Sequence, residues 1–443
     1  MRDIVLLIIF AGLLPACMAR PWIGVLTWSW LAFMNPHRLT WGIARDLPFA
    51  QAVAIATLLG LLMTRERRPL FWTRETTLLV IMLAFFGLTT AFAWHRDLAW
   101  LQWIAVAKII LMTIVPLMLI YGKERIHWLL LVVAGSIGFF GLKGGIFVLQ
   151  TGGVHSIYGP DDSFIADNNS LGLAMVMVLP LLVFLRRDET NVWIRRILAI
   201  TAFFTVISIV VTYSRGALIG LAAVLPFLFM RIKKKFLLLL VFVPLAYYGV
   251  EHAPDRLNKR VETIETAEED QSFMQRIQAW SVAWNIAKER PLIGAGFKLE
   301  YTNDRIWLSY ADRKYDKWGQ SARAAHSIYF QVLGEHGFPG LALYLLLILL
   351  TMLRLRKLSK LADRDPDSAW IGNYAAALNI GLIGFVVAGA GLSRAYFDLF
   401  LLYVGVSAIL YREAQERGLI RQPYALTPLR KPAIGDKPLG AES

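Results

Sequence analysis

The sequence predicts an all-α polytopic membrane protein, with one large polar segment standing in water beside the bilayer. Three observations lead there. Of the 443 residues, 57% are hydrophobic and only 18% are charged, a balance that the surface of a soluble domain does not carry. The apolar residues gather into runs long enough to span hydrocarbon, while the charged residues sit in short clusters between them. Between 251 and 325 a stretch mixes charges with aromatics; it cannot lie in lipid, where backbone polar groups find no water.

Taken in order, apolar runs fall near 4–34 (interrupted around Pro15, Arg20 and Pro21), 49–64, 77–94, 98–121, 127–150 and 168–185. Others follow near 196–213, 216–230, 236–250, 338–353, 371–391 and 395–411, which makes about 12 transmembrane helices. The first run is expected to cross once, as a broken helix, keeping the N-terminus inside. Leu14-Pro15-Ala16-Cys17 superficially resembles a lipoprotein cleavage site, but Pro15 and the weak positive start, where Asp3 offsets Arg2, argue against processing.

The net charge of +14 would suit nucleic acid, yet the basic residues recur in alternate loops: Arg65 to Arg74, Lys123 and Arg125, Arg186 to Arg196, Arg231 to Lys235, and Arg354 to Lys360. That pattern sets topology, with these loops inside, and no nucleic-acid partner is expected. The expected organisation is a helix bundle over 1–250, a large helical outer loop over 251–337, further membrane helices over 338–411, and a poorly ordered basic tail over 412–443. The single cysteine, Cys17, excludes an internal disulfide. The seven histidines are scattered, with no metal-ligand spacing, so neither a metal nor a cofactor is expected.

Within the outer segment, Ser272 to Gln275 reads as a capping box. Phe273, Ile277, Trp280 and Trp284 follow at helical spacing up to Pro291. That aromatic stripe is expected to pack on the bundle, with Arg276 at its shoulder either snorkelling or reaching an anion. Residues 291–296 (Pro-Leu-Ile-Gly-Ala-Gly) lack the lysine of a phosphate loop and read as a glycine turn. His326 then opens a helix through Tyr329, Phe330 and Leu333 that ends near Gly334, Gly337 and Pro339. It is either a structural histidine at a membrane boundary or a proton acceptor. Glu335 and His336, roughly 14 Å further up that helix, are expected at its other end.

Arg215, in Ser214-Arg215-Gly216 where two apolar runs meet on the outer side, is either an interfacial snorkeller or a phosphate ligand. Asp167 and Asn168 open the run at 168 and suit an N-cap. Lys143 lies in an apolar run beside Gly141, Gly144 and Gly145, and a buried ammonium there needs an anion or a wet cavity. No matched halves are visible, which counts against a transporter or flippase of lipid-linked sugars.

Together, the run pattern, Ser214-Arg215-Gly216, Arg276 ahead of Trp280, the 291–296 turn and Ala325-His326-Ser327 through Gly337-Phe338-Pro339-Gly340 resemble the bacterial O-antigen ligase family over essentially the whole chain. Met34-Asn35-Pro36-His37-Arg38-Leu39 and Gly141-Leu142-Lys143-Gly144-Gly145 are similar to its exosortase-associated O-glycosylation ligase branch. The resemblance implies a GT-C-like glycosyltransferase of the bacterial inner membrane with its active site facing the periplasm. Its implied donor is a glycan on undecaprenyl pyrophosphate and its acceptor the lipid A-core oligosaccharide of lipopolysaccharide, with membrane lipids around it. The family's essential histidine matches His326, its arginines Arg215 and Arg276, and weaker matches fall on Lys143, Asp167 and Asn168. Where the family motif has asparagine after the histidine, this chain has Ser327. An O-antigen polymerase or a protein O-oligosaccharyltransferase would share the same scaffold.

Overall fold

The computed structural model describes residues 1–231, 271–361 and 366–420, and among them every regular element is a helix. The run expected at 236–250, residues 251–270 of the polar segment and the tail beyond 420 lie outside the described residues. The principal helices are α1 (Arg2–Ala19), α2 (Pro21–Met34), α3 (Phe49–Met63), α4 (Arg74–Ala91) and α5 (Arg96–Ile114). Next come α6 (Pro116–Leu119), α7 (Gly122–Thr151), α8 (Asn168–Asp188), α9 (Val192–Val211) and α10 (Arg215–Arg231). After the gap follow α11 (Gln271–Glu289), α12 (Asp304–Ser309), α13 (Ile328–Ser359), α14 (Ala369–Gly389) and α15 (Asp398–Glu416).

Among the described residues, eight helices are long and apolar enough to cross a membrane. Of the other expected runs, the one at 236–250 lies outside the described residues, α15 is 19 residues long but carries Asp398, Arg412, Glu413 and Glu416, and α3 and α10 have 15 and 17 residues. At 1.5 Å per residue these last two reach about 22 to 26 Å, short of the hydrocarbon thickness.

The first run does not cross as one broken helix. Arg20 precedes proline and so leaves the helical region, while Pro21 takes the first position of α2, where its missing N–H costs nothing. The chain therefore folds back as a hairpin. Asp3 accepts hydrogen bonds from the backbone of Gly42 and Ala44 at 3.0 and 3.2 Å, which fixes the N-terminus beside the loop that follows α2. The N-terminus thus lies at the opposite end from the basic loops.

Three of those loops, with Arg68, Arg125 and Arg354, meet at one end of the bundle. Arg68 pairs with Glu413 and Glu416, Arg125 with Glu66, and Arg354 with Glu75. Residues 412–416, expected in a poorly ordered tail, instead complete α15 and are held there by these pairs. At the other end, the Trp94 N–H donates to the Ala295 carbonyl and the Arg290 guanidinium to that of Phe92, joining the α4–α5 turn to the outer segment.

Every residue of α8 from Ser170 to Leu182 is buried, as befits a helix surrounded by others. Beside it, α7 and α9 approach closely because Gly141 and Gly144 offer no side chain. A Cβ on Gly141 would collide with Thr205, and the Ser208 hydroxyl donates across the contact to the Gly141 carbonyl at 2.6 Å.

In the outer segment, α11 already includes Gln271, and Gln275 donates its amide to the Trp318 carbonyl instead of closing a capping box. Its most buried face is Ala279, Val282, Ala283 and Ile286. The aromatic stripe flanks that face, with Trp280 stacked on Phe330 and Trp284 edge-on to Phe338.

α13 breaks at Gly337 (φ 66°, ψ −169°), a conformation open essentially only to glycine. The 291–296 turn satisfies the backbone groups freed by the break. Ala295 and Gly296 donate to the carbonyls of Gly334 and Glu335, and Phe338 donates to that of Pro291.

Candidate functional site

At the outer end, a cavity of about 370 Å³ opens between the start of α8, the first turns of α13 and the 389–397 turn joining α14 to α15. His326 faces it from the residue before the α13 N-cap. The histidine sits in left-handed backbone (φ 46°), and two side chains from elsewhere fix it there. Its N–H donates to Ser393 Oγ at 2.6 Å, and Trp280 Nε1 donates to the neighbouring Ala325 carbonyl at 2.7 Å.

The imidazole is accessible from the cavity yet has lost much of its bulk water, which lowers its pKa below the ordinary histidine value. Arg276 lowers it further, and Asp167 opposes the shift. The ring is therefore neutral near pH 7 and able to accept a proton.

Asp167 is the N-cap of α8 and accepts from Ser170, through its N–H at 2.9 Å and its hydroxyl at 2.6 Å. Arg394 completes the arrangement, pairing with Asp167 at 2.7 Å while its Nε donates to Ser170 Oγ. Burial by itself would raise the Asp167 carboxyl; the Ser170 hydrogen bonds and Arg394 outweigh it and hold the pKa below the ordinary range. Asp167 is thus both a cap and part of the cavity wall.

The Gly216 backbone and the Arg276 side chain reach the same turn. Gly216, next to Arg215, lies against the Ala388 carbonyl and Leu392, and Arg276 Nη1 lies 3.5 Å from where a Cβ on Gly391 would stand. Neither Arg215 nor Arg276 is among the described residues that form the wall. Asn168 points away from the cavity and ties α8 to the turn before Arg215, donating its amide to the Thr212 carbonyl at 2.8 Å; its neighbour Asn169 lines the cavity instead. Lys143 is not buried. It lies exposed on the outward side of α7, because the glycines beside it form the packed side.

Most of the wall residues were not singled out from sequence, Ser393 and Arg394 among them. Ser393 and Arg394 sit between two apolar runs, the same context as Ser214-Arg215, and that shared Ser-Arg pair was the available signal. Glu335 lies at the far end of the first helical stretch, as expected, but the cavity runs alongside that stretch and Glu335 lines it with His326. It is 2% exposed, its two oxygens accepting from Tyr396 at 2.6 Å and the Lys298 N–H at 3.1 Å. His336 is packed away from the site, its ring stacked on Phe86 and its Nδ1 2.6 Å from the Thr89 hydroxyl.

A family model described as O-antigen ligase matches residues 200–345, which contain Arg215, Arg276 and His326. A second family, of unknown function, matches residues 1–190. No curated protein sequence matches the chain. The match over residues 200–345, the stretch that sets His326 facing the cavity, supports the O-antigen ligase superfamily.

Proposed function

We propose that the protein transfers a glycan from undecaprenyl pyrophosphate to the lipid A-core oligosaccharide, at the periplasmic face of the bacterial inner membrane. The observation that carries this reading is His326, a histidine with a lowered pKa facing a cavity at the outer end of a membrane bundle. The O-antigen ligase match over the same stretch supports a ligase or polymerase chemistry in general.

In the proposed reaction the bond from the donor's anomeric carbon to pyrophosphate breaks as the acceptor oxygen bonds to that carbon from the opposite side, inverting it. The acceptor proton passes to the His326 imidazole. Negative charge develops on the departing pyrophosphate, and Arg215 and Arg276 are assigned to bind it. The polyprenyl chain would lie along exposed apolar helix surfaces.

The test is turnover by purified protein in detergent with an undecaprenyl-pyrophosphate glycan as donor. His326→Ala should insert normally and lose most activity. Arg215→Lys should also be impaired, because a point charge does not reproduce bidentate phosphate contacts. Wild-type turnover by either variant removes that residue from the mechanism. Offering lipid A-core, a growing glycan or a Ser/Thr peptide as acceptor separates ligase, polymerase and protein-glycosylating activity, and failure to form any glycoside would point to a flippase.

A further inference from the structure

The turn that carries Arg215 is held in a conformation its sequence does not favour. α9 ends at Val211 and α10 begins at Arg215, so Thr212, Tyr213 and Ser214 make the whole connection. Tyr213 stands there in left-handed backbone (φ 54°), where a Cβ is disfavoured and glycine or asparagine is the usual choice. Such a residue persists only when its surroundings over-determine it, and the contacts of this turn do so. The Tyr213 ring is 4% exposed, and its phenol donates a hydrogen bond to the Gly153 carbonyl, just beyond the end of α7. A second bond comes from α8, where the Asn168 amide donates to the Thr212 carbonyl at 2.8 Å. Within the turn, Thr212 Oγ1 accepts from the Ser214 N–H and Ser214 Oγ from the Ala217 N–H, each at 3.3 Å, the latter capping α10. Gly172 lets α8 close on the turn, since a Cβ there would stand 2.7 Å from the Ala217 side chain and 3.3 Å from Thr212 Oγ1.

We infer that Tyr213 is a positioning residue: its phenol sets the backbone from which Arg215 extends and keeps that backbone in register with the cavity wall. A glycine at this position would make the turn without strain. Tyrosine accepts the strain and gains a tie to a residue 60 positions away, so its presence is explained by the bond and not by the turn. Both ties to the turn belong to one stretch of chain. Gly153 lies at the start of the 152–167 connection between α7 and α8, Asn168 directly follows its end, and its last residue, Asp167, is in the cavity wall and paired with Arg394. The backbone before Arg215 is thus fixed to both ends of the segment that delivers Asp167. The inference rests on the proposed transferase reading, in which Arg215 binds the departing pyrophosphate. A guanidinium makes two parallel bonds to a phosphate only when its plane is correctly presented, and that presentation starts from the backbone.

The test is a double-mutant cycle read by affinity for undecaprenyl pyrophosphate, measured on the full-length protein in detergent. Tyr213→Phe keeps the ring and removes one oxygen. It should weaken binding by about 5-fold, the equivalent of one net hydrogen bond. In an Arg215→Ala background the same substitution should change the affinity by less than about 2-fold, because its effect passes through the guanidinium. Wild-type affinity in Tyr213→Phe overturns the inference. An equal loss in both backgrounds overturns it too, since that is what a merely structural role would give. The failure of the transferase reading looks different. Wild-type affinity in Arg215→Ala removes the pyrophosphate assignment and the inference with it, whereas a loss in Arg215→Ala without one in Tyr213→Phe removes the inference alone.

Discussion

Replacing Ser393 by alanine tests whether the backbone at His326, and not only its ring, is part of the machinery. The substitution removes one oxygen and leaves the cavity otherwise intact. His326 adopts φ 46°, a left-handed conformation that costs roughly 1–2 kcal/mol for a residue with a Cβ. The 2.6 Å bond from its N–H to Ser393 Oγ offsets about 1 kcal/mol of that cost. Without it, the Trp280 bond to the Ala325 carbonyl still holds one side of the residue, so the loss should be partial. A shift of about 1 kcal/mol in favour of other conformers lowers the ratio of correctly placed ring to those conformers by about 5-fold. Steady-state ligation with purified donor should therefore show kcat reduced by about that factor, with KM for the donor nearly unchanged. Ser393→Thr, which keeps the hydroxyl, should recover most of the loss. Wild-type kcat in Ser393→Ala, or no recovery with threonine, would show that the backbone bond is incidental.

Three further expectations follow from the same geometry. A base works unprotonated, so activity is lost as pH falls through the folded pKa of His326; desolvation and then Arg276 place that pKa below 6.5, and the acid limb of kcat/KM should lie below that value. Arg276→Gln should move the limb to higher pH, and a limb at or above 6.5 in the wild type would contradict the reading. Gly337→Ala forces a side chain into backbone that disfavours it by roughly 1–3 kcal/mol, with its Cβ colliding with the Pro291 carbonyl; thermal unfolding in detergent should show a clear drop, and an unchanged midpoint would mean that the break can relax. If the guanidiniums supply the charge stabilisation, EDTA should leave turnover unaffected, and a loss restored by Mg²⁺ would require a metal in the mechanism.

Much of this protein was legible in its residues because a bilayer imposes simple rules. Runs of apolar residues become helices, the basic clusters of Arg68, Arg125 and Arg354 gather at one end, and Pro291 with Gly294 and Gly296 makes a turn. The helix over 271–289 and the break near Gly337 were readable for the same local reasons: spacing, proline and glycine. His326 stood out as an ionisable ring at the edge of lipid. Which residues share its cavity was not local information. The fold-back of the first run follows locally from Arg20-Pro21, but where its start comes to rest was decided by Asp3 binding the backbone of Gly42 and Ala44, about 40 residues away. Whether Lys143 is buried was decided by which side of α7 the glycines press on α9. Arg394 meets Asp167 from 227 residues further along the chain, and Ser393 holds the His326 backbone across 67. Hydropathy fixes how deep a residue lies in the membrane but not its angular position around the bundle, and that angle is set only when helices pack.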